Sequence, residues 1–328
     1  MTEHGITVQY KDGSKVTKPL GLLYGESAGV IHPHPVLTMW KKGDKVKEGQ
    51  NLTYHKYYYE PDRLSPGHVL FKQNMTITVA LLDNINELED GSMITEETAQ
   101  KLTTGITEHR DVLLSFDQHL TNMLDIGDHV DLDTVLAAVG DPGVPYEGDL
   151  SEASLNTLSQ VKGKVHKANT TGHITRMEVY YRGEFDDLSE ELKKTVTKIE
   201  KRNKKIATLQ GYKFFPGKVD TSFRRKGTPL EPNQVVVRYF VTHDMGIQRG
   251  DKATFSLQLK SIFSAIMQGR NVTVGGIKLD GIFGASSVLD RMVNSPYHNG
   301  MASMLLRVFS LHAAKLYDGT VKPFYAKR

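Results

Sequence analysis

Apolar and polar positions follow different periods along this chain, and each period predicts an element. Residues up to about 51 read as short strands and turns, because Pro33, Pro35 and the glycines interrupt every apolar run. Residues 76–82 (TITVALL) form an apolar, β-rich run that predicts a buried strand. The polar, acidic stretch 83–90 then predicts a loop. Residues 95–103 read as a helix capped by Thr95, with Glu97 close behind. Residues 111–123 also fit a helix, 140–156 a turn-rich loop or linker, and 172–181 a strand. The clearest helix covers 188–209, where Leu192, Val196, Ile199, Ile206 and Leu209 recur at roughly helical spacing. Ser189 can cap it, and Glu190 and Glu191 in its first turn with lysines later match the helix dipole.

Downstream, 234–242 (QVVVRYFVT) is the strongest strand signal, and it leads into a turn at 246–252. A further strand is expected at 272–279, closed by Asp280-Gly281, and an amphipathic helix at 301–317. Gly43-Asp44 and Gly127-Asp128 each precede a valine and a polar bend. In such turns Gly supplies positive φ and Asp bonds back to the chain. Strands at both ends around a helix-containing middle predict one β-barrel core interrupted by an inserted domain.

With 328 residues, 39% hydrophobic and 24% charged, the chain has the composition of a globular protein. It contains no cysteine, which excludes disulfides and thiolate zinc sites. No apolar run approaches the ~20 residues of a membrane span, so an intracellular protein without a membrane partner is expected. The net charge of +3 decides little, so the distribution of charge matters more. Basic residues concentrate at 193–205 and 213–226, the second stretch including Arg224-Arg225. The first of these reads best as the solvated face of the long helix.

Three sets of residues carry candidate chemistry. Lys252 and Lys260 flank a segment that follows a Gly-Asp turn, and they can offer ammonium groups to successive phosphates. Glu89-Asp90 ends the acidic loop and can approach a divalent ion or its water. Arg291 can grip a triphosphate with its guanidinium fork. By pattern alone the same residues also read as surface lysines, a helix-capping acidic pair and an arginine tied to Asp290.

Their order in the chain resembles the beta (second-largest) subunit of multisubunit, bacterial-type DNA-directed RNA polymerases. Residues 43–52 are similar to that family's Gly-Asp-x-Val-x-x-Gly-Gln-x-Leu segment. Gln73-Asn74-Met75 and the following strand, Asn86-Glu87-Leu88-Glu89-Asp90 and Ile94-Thr95-Glu96 resemble its stretch ending in Tyr-Asn-Phe-Glu-Asp and a Ser-Glu. Ile247-Gln248-Arg249-Gly250-Asp251-Lys252 is close to its Ile-Gln-x-Gly-Asp-Lys motif, and Lys260 stands where the family has a second lysine. Asp280-Gly281 and Asp290-Arg291-Met292 echo its Asp-Gly and Ser-Arg-Met series.

The chain departs from the family around the second lysine, where Ser256-Leu257-Gln258-Leu259-Lys260-Ser261 replaces Arg-His-Gly-Asn-Lys-Gly. Residues 283–289 replace the Asn-Pro-Leu-Gly-Val-Pro stretch. The long N-terminal lobes and the C-terminal clamp-contacting region have no counterpart here. A split subunit fits this pattern, as in the polymerases of giant bacteriophages.

The resemblance implies a mainly β, α+β fold: a double-psi β-barrel core with an inserted flap-like, barrel-sandwich domain. Residues 1–104 and 227–328 would form the barrel and 105–226 the insertion. It implies template-directed nucleotidyl transfer, with Lys252 and Lys260 on the RNA 3′ end and the NTP phosphates and Arg291 on the incoming triphosphate. Glu89 and Asp90 would lie near the second magnesium. No Asp-x-Asp-x-Asp triad occurs here, so the first Mg2+ would be held by a beta-prime-like partner chain, and this chain alone would be inactive. Further partners would be chains carrying the missing beta regions, the DNA template and the RNA transcript. The expected location is the cytoplasm of an infected bacterium or the virion. The alternative is a non-catalytic barrel scaffold or nucleic-acid-binding module of the same fold.

Overall fold

The computed structural model describes residues 5–72, 75–86, 89–140, 165–210, 217–256, 258–292 and 294–320, the side chains of 209 and 210 excepted. The chain is mainly β, of the α+β kind, with a curled half-barrel sheet. It divides into two compact units, Met1–Gln73 with Thr104–Met245, and Asn74–Thr103 with Gly246–Arg328. These divisions cut the expected segment 1–104 at 73/74 and the expected segment 227–328 at 245/246. Most of the expected loop at 140–156 lies outside the described residues.

In the first unit, β1 (Gly5–Gln9) and β2 (Lys15–Pro19) form a hairpin. Strands β3 (Gly21–Ser27), β4 (Val30–Leu37) and β5 (Tyr54–His55) enter a seven-stranded sheet with β10 (Thr103–Ser115), β12 (His129–Val130), β15 (Gly172–Arg182) and β18 (Gln234–Gly246). Its order is β12-β15-β18-β10-β4-β3, with β5 on β4. A short hairpin joins β6 (Tyr59–Pro61) to β7 (Val69–Phe71), and another joins β16 (Arg224–Arg225) to β17 (Thr228–Pro229). Strands β11 (His119–Thr121), β13 (Val135–Gly140) and β14 (Val165–Lys167) make a three-stranded sheet.

Alternation along β18 buries Val235, Val237, Tyr239 and Val241 on one face, in one cluster with Leu192, Val196 and Ile199 of α2 (Glu190–Gln210). At about 1.5–3 kcal/mol per buried side chain, this cluster is the main stabilising element of the unit. Helix α2 follows the expected helix closely. Ser189 Oγ accepts from Leu192 N at 3.3 Å as its cap. Its basic face is solvated and paired: Lys193 with Glu190 at 2.9 Å, and Lys198 and Arg202 with Asp125 at 2.9 and 2.8 Å.

The second unit holds a five-stranded sheet of β8 (Val79–Leu81), β9 (Gly91–Thr95), β19 (Lys252–Phe255), β20 (Leu259–Met267) and β21 (Gly281–Phe283), in the order β19-β20-β9-β21-β8. β20 runs parallel to β9, β9 antiparallel to β21, and β21 parallel to β8. Exchanging β8 with β20 and β9 with β21 maps the order of these four strands onto its own reverse, so two similar strand pairs interlock. Helices α1 (Glu96–Lys101), α3 (Ala285–Asp290) and α4 (Ser295–Tyr317) complete the unit. Thr95 caps α1 as expected, its side chain accepting from Thr98 N at 3.3 Å.

Asp280-Gly281 has a local physical reason. Asp280 Oδ2 accepts from Thr78 N at 2.8 Å and its carbonyl accepts from Thr95 N at 2.9 Å, which pins the starts of three elements together. A Cβ on Gly281 would sit 3.0 Å from the Met93 carbonyl, tighter than nearly all real contacts.

Two expected elements are corrected. Residues 111–123 are not a helix: 111–115 finish β10 and 119–121 are β11. Asp111 is buried against Arg238 on one face of β10 while Val112 and Leu114 enter the core on the other. Residues 272–279 are not a strand but a tight turn: Thr273 N donates to Ile277 O at 2.9 Å, Gly276 takes φ of 82°, and Val274 is fully exposed. The strand expected at 76–82 is limited to β8.

On α1, Glu97 accepts hydrogen bonds from Lys101, at 2.6 Å, and from Lys278. The Lys101 bond, then the Lys278 bond, hold its carboxyl at about 2. A depressed carboxylate favours the folded state above the unfolded value of about 4.3, and this contribution is lost as pH falls through about 2. The expected NMR titration midpoint of the Glu97 carboxyl carbon is therefore about 2, rising toward the ordinary carboxylate range in Lys101→Met. An unchanged midpoint in that variant would remove the lysine as the cause.

Candidate functional site

All five candidate residues fall in the second unit, at one end of its sheet. Asp90 immediately precedes β9, Lys252 opens β19, Lys260 is the second residue of β20, and Arg291 is the C-cap of α3. The turn before β19 has the Gly-Asp chemistry expected of such sequences. Gly250 takes φ of 96° and Asp251 Oδ2 accepts from Gln248 N at 2.8 Å. The same closure recurs at Gly43-Asp44 and Gly127-Asp128, where Asp44 and Asp128 accept from Lys41 N and Asp125 N at 2.7 and 2.8 Å.

Strands β19 and β20 form an antiparallel hairpin in which Lys252 faces Ile262 and Thr254 faces Lys260. Facing residues of a hairpin point to the same side, so the two lysines share one face as diagonal neighbours about 7–8 Å apart. Both are exposed. Among the described residues, no carboxylate pairs with either ammonium. Two unneutralised like charges on one small face attract an anion that spans them.

The acidic turn is held by serines that the sequence did not mark. Ser261 Oγ donates to the Asp90 carbonyl at 2.7 Å and pairs with Ser92 Oγ at 2.6 Å. Ser287 Oγ donates to the Glu89 carbonyl. Glu89 takes φ of 57°, which is uncommon for a non-glycine residue. Asp83 accepts from Ser286 N at 3.0 Å and Ser286 Oγ at 2.9 Å, and these bonds hold its carboxyl below the usual range. Only one signal for Ser261 was available, its place between Leu259 and Phe263 on the buried face of β20. That signal describes burial, not function. Glu87 and Leu88 of the family-like stretch, with Gln73 and Asn74, lie outside the described residues.

Arg291 does not pair with Asp290. Its Nη2 donates to Asp90 Oδ1 at 2.6 Å and to the Lys260 carbonyl at 2.7 Å. One guanidinium therefore ties together the acidic turn, the second lysine's backbone and the end of α3. The Asp90 side chain is 60% exposed, so the ion pair contributes about 0–1 kcal/mol and opens readily.

Glu89 and Asp90 supply at most a few oxygens, and one Asp90 oxygen is already taken by Arg291. Magnesium demands six oxygens and retains several waters. Among the described residues, no three His, Asp or Glu side chains come together as a metal site. The donor set thus fits an ion approached through water and held mainly by other groups. Among the same residues, no helix is long and apolar enough to cross a membrane. No protein-family model and no curated protein matches the chain.

Proposed function

We propose that this chain is a beta-type fragment of a multisubunit DNA-directed RNA polymerase, carrying that subunit's share of the nucleotidyl-transfer site. One observation carries the reading: residues scattered from 89 to 291, chosen by their order in the sequence, gather at one end of a single sheet. The interlocked order of β8, β9, β20 and β21 supports a double-psi β-barrel as its core. A flap-like insertion would belong to the first unit.

In this reading the RNA 3′-hydroxyl attacks the α-phosphorus of an NTP and pyrophosphate leaves. Lys252 and Lys260 act as two point charges on the RNA 3′ end and the triphosphate, stabilising charge as it builds. Arg291 leaves Asp90 for the phosphates, where its fork bonds two oxygens at once. Asp90 then becomes free to orient water near the second magnesium. When bound, magnesium neutralises phosphate charge and polarises the reacting phosphoryl group. The first ion, the template and the remaining beta regions come with partner chains, among them a beta-prime-like chain with an aspartate triad.

The scaffold alternative has one observation in its favour, the engagement of Arg291 with Asp90 rather than an open position. The test is purification of the chain from its native source, followed by extension of a primed RNA–DNA scaffold with magnesium. Extension by a complex containing an aspartate-triad chain supports the polymerase; a complex that binds nucleic acid without extending it supports the scaffold. Within an active complex, Arg291→Ala is expected to raise the NTP KM by about 10–100-fold, the worth of a charged hydrogen bond of about 1.5–3 kcal/mol. An unchanged KM would leave Arg291 a purely structural clasp.

A further inference from the structure

Helix α4 lacks the buried apolar face of a normal surface helix. From His298 to Lys315 every residue is exposed. Among the described residues, its attachment to the unit comes from Ser295, whose Oγ donates to Gln258 Oε1 at 2.8 Å, from Pro296 and Tyr297 at the start, and from Arg307, whose Nη1 donates to Thr78 Oγ1. At 3.6 residues per turn, Ser303, Arg307, Ser310 and Ala314 lie on one stripe about 60° wide. Of this stripe, Arg307 is the residue that reaches the body of the unit. The apolar side chains are left in solvent: Met301, Met304, Leu305, Leu306, Phe309 and Leu311 span about 220° of the helix and each is more than half exposed.

At about 100 Å² per side chain this is on the order of 600 Å² of apolar surface. That matches the largest patch a typical monomer carries and approaches the roughly 800 Å² per partner of a standard interface. We propose that α4 is a docking helix for a separate polypeptide, which closes an apolar, carboxylate-rimmed groove around it.

Two features choose this occupant over a second copy of the same chain. An antiparallel pair of identical helices covers a stripe of roughly 100°, which leaves about half of the apolar arc in water. A groove covers three sides. The helix also carries no acidic residue between Ser295 and Tyr317, whereas His312 and Lys315 lie within its apolar arc. Self-pairing brings together two helices that each carry Arg307 and Lys315 and no carboxylate, whereas an acidic rim neutralises these cations.

The inference rests on the polymerase reading for the partner to be assayed, the aspartate-triad chain that co-purifies with this one. Amide hydrogen exchange compares the wild-type chain alone with the chain in its native complex, which requires no mutant. The α4 amides are expected to exchange at least tenfold more slowly in the complex. A tagged Leu305→Glu/Phe309→Glu chain is expected to retain less than a tenth of the partner, with an unchanged melting temperature because both side chains are exposed. Equal exchange in the two states overturns the proposal, as does full retention by the variant. So does an isolated chain that sediments as a dimer with α4 already protected. A complex that assembles through α4 but fails to extend RNA leaves the docking helix standing and removes the polymerase.

Discussion

Lys252→Ala is expected to slow nucleotide addition by the assembled complex about 10²–10³-fold while leaving assembly intact. Removal of one preorganised donor from a site of developing charge costs about 2.7–4 kcal/mol of transition-state stabilisation. The lysine suits that role because no carboxylate among the described residues engages its ammonium, so its charge is available to phosphate. It is also exposed, at the first position of β19, where loss of the side chain breaks no buried contact. The backbone of the hairpin is held independently of it: Gly250 N donates to Phe263 O at 2.8 Å and Phe263 N to Asp251 O at 2.9 Å.

The informative comparison is Lys252→Ala against Lys252→Arg, measured by single-nucleotide extension on a primed scaffold. Arginine keeps the charge but changes the donor geometry, so a loss smaller than that of alanine is expected. Wild-type extension by Lys252→Ala would end the catalytic assignment and leave the scaffold reading. Lys260→Ala should behave alike, because the hairpin puts the two lysines diagonally on one face and either alone spans less of the triphosphate.

Elements whose information is local were legible in the sequence. The Ser189-capped helix, the Thr95 cap and the Gly-Asp turns each depend on residues within a few positions of one another and formed with the chemistry expected, and β15 and β18, though they pair with each other at a distance, are marked by their own β-rich runs. The misread elements depend on distant partners. Residues 111–123 have apolar spacing compatible with a helix, but 111–115 pair within the seven-stranded sheet and 119–121 with β13 of the three-stranded one, which sets the period to two. Residues 272–279 are β-branched enough for a strand, yet Gly275-Gly276 closes the turn before a second strand can pair with it.

The candidate site was legible in part. The motif order located Asp90, Lys252, Lys260 and Arg291, which the fold brings to one place. Their wiring was not legible, because Arg291 was expected to grip a triphosphate or, by pattern alone, to be tied to Asp290, and here it reaches Asp90, 201 positions away. The serines beneath the acidic turn look like any other buried serines in a strand. The exposure of α4 is equally hidden, since a wide apolar arc gives no indication of whether its own unit covers it.

Asp111→Ala is the substitution expected to cost the most stability. The Asp111 side chain is 3% exposed and receives a two-pronged bond from Arg238, Nε to Oδ1 at 2.7 Å and Nη2 to Oδ2 at 3.0 Å. Arg225 Nε stands 3.7 Å from the same carboxylate. The Arg238 guanidinium is further enclosed by the rings of Tyr180 and Phe223, at 5.5 and 5.8 Å. Alanine would leave that cation buried with its aromatic faces and only Glu178 opposite it on β15, a carboxylate that already pairs with Arg176. Breaking a buried pair from one side costs about 3–5 kcal/mol. For a body of roughly 200 residues, at about 2–4 °C per kcal/mol, the melting temperature should fall by about 6–20 °C. The double variant Asp111→Leu/Arg238→Met separates the pair's worth from the cost of orphaning one partner. Because well-packed apolar side chains replace buried ion pairs at little cost, it should recover most of the loss. If the double variant is as unstable as Asp111→Ala, the deficit comes from strand packing and not from a buried charge. If Asp111→Ala alone costs less than about 1 kcal/mol, the arginine is held by its aromatic neighbours and the carboxylate is dispensable.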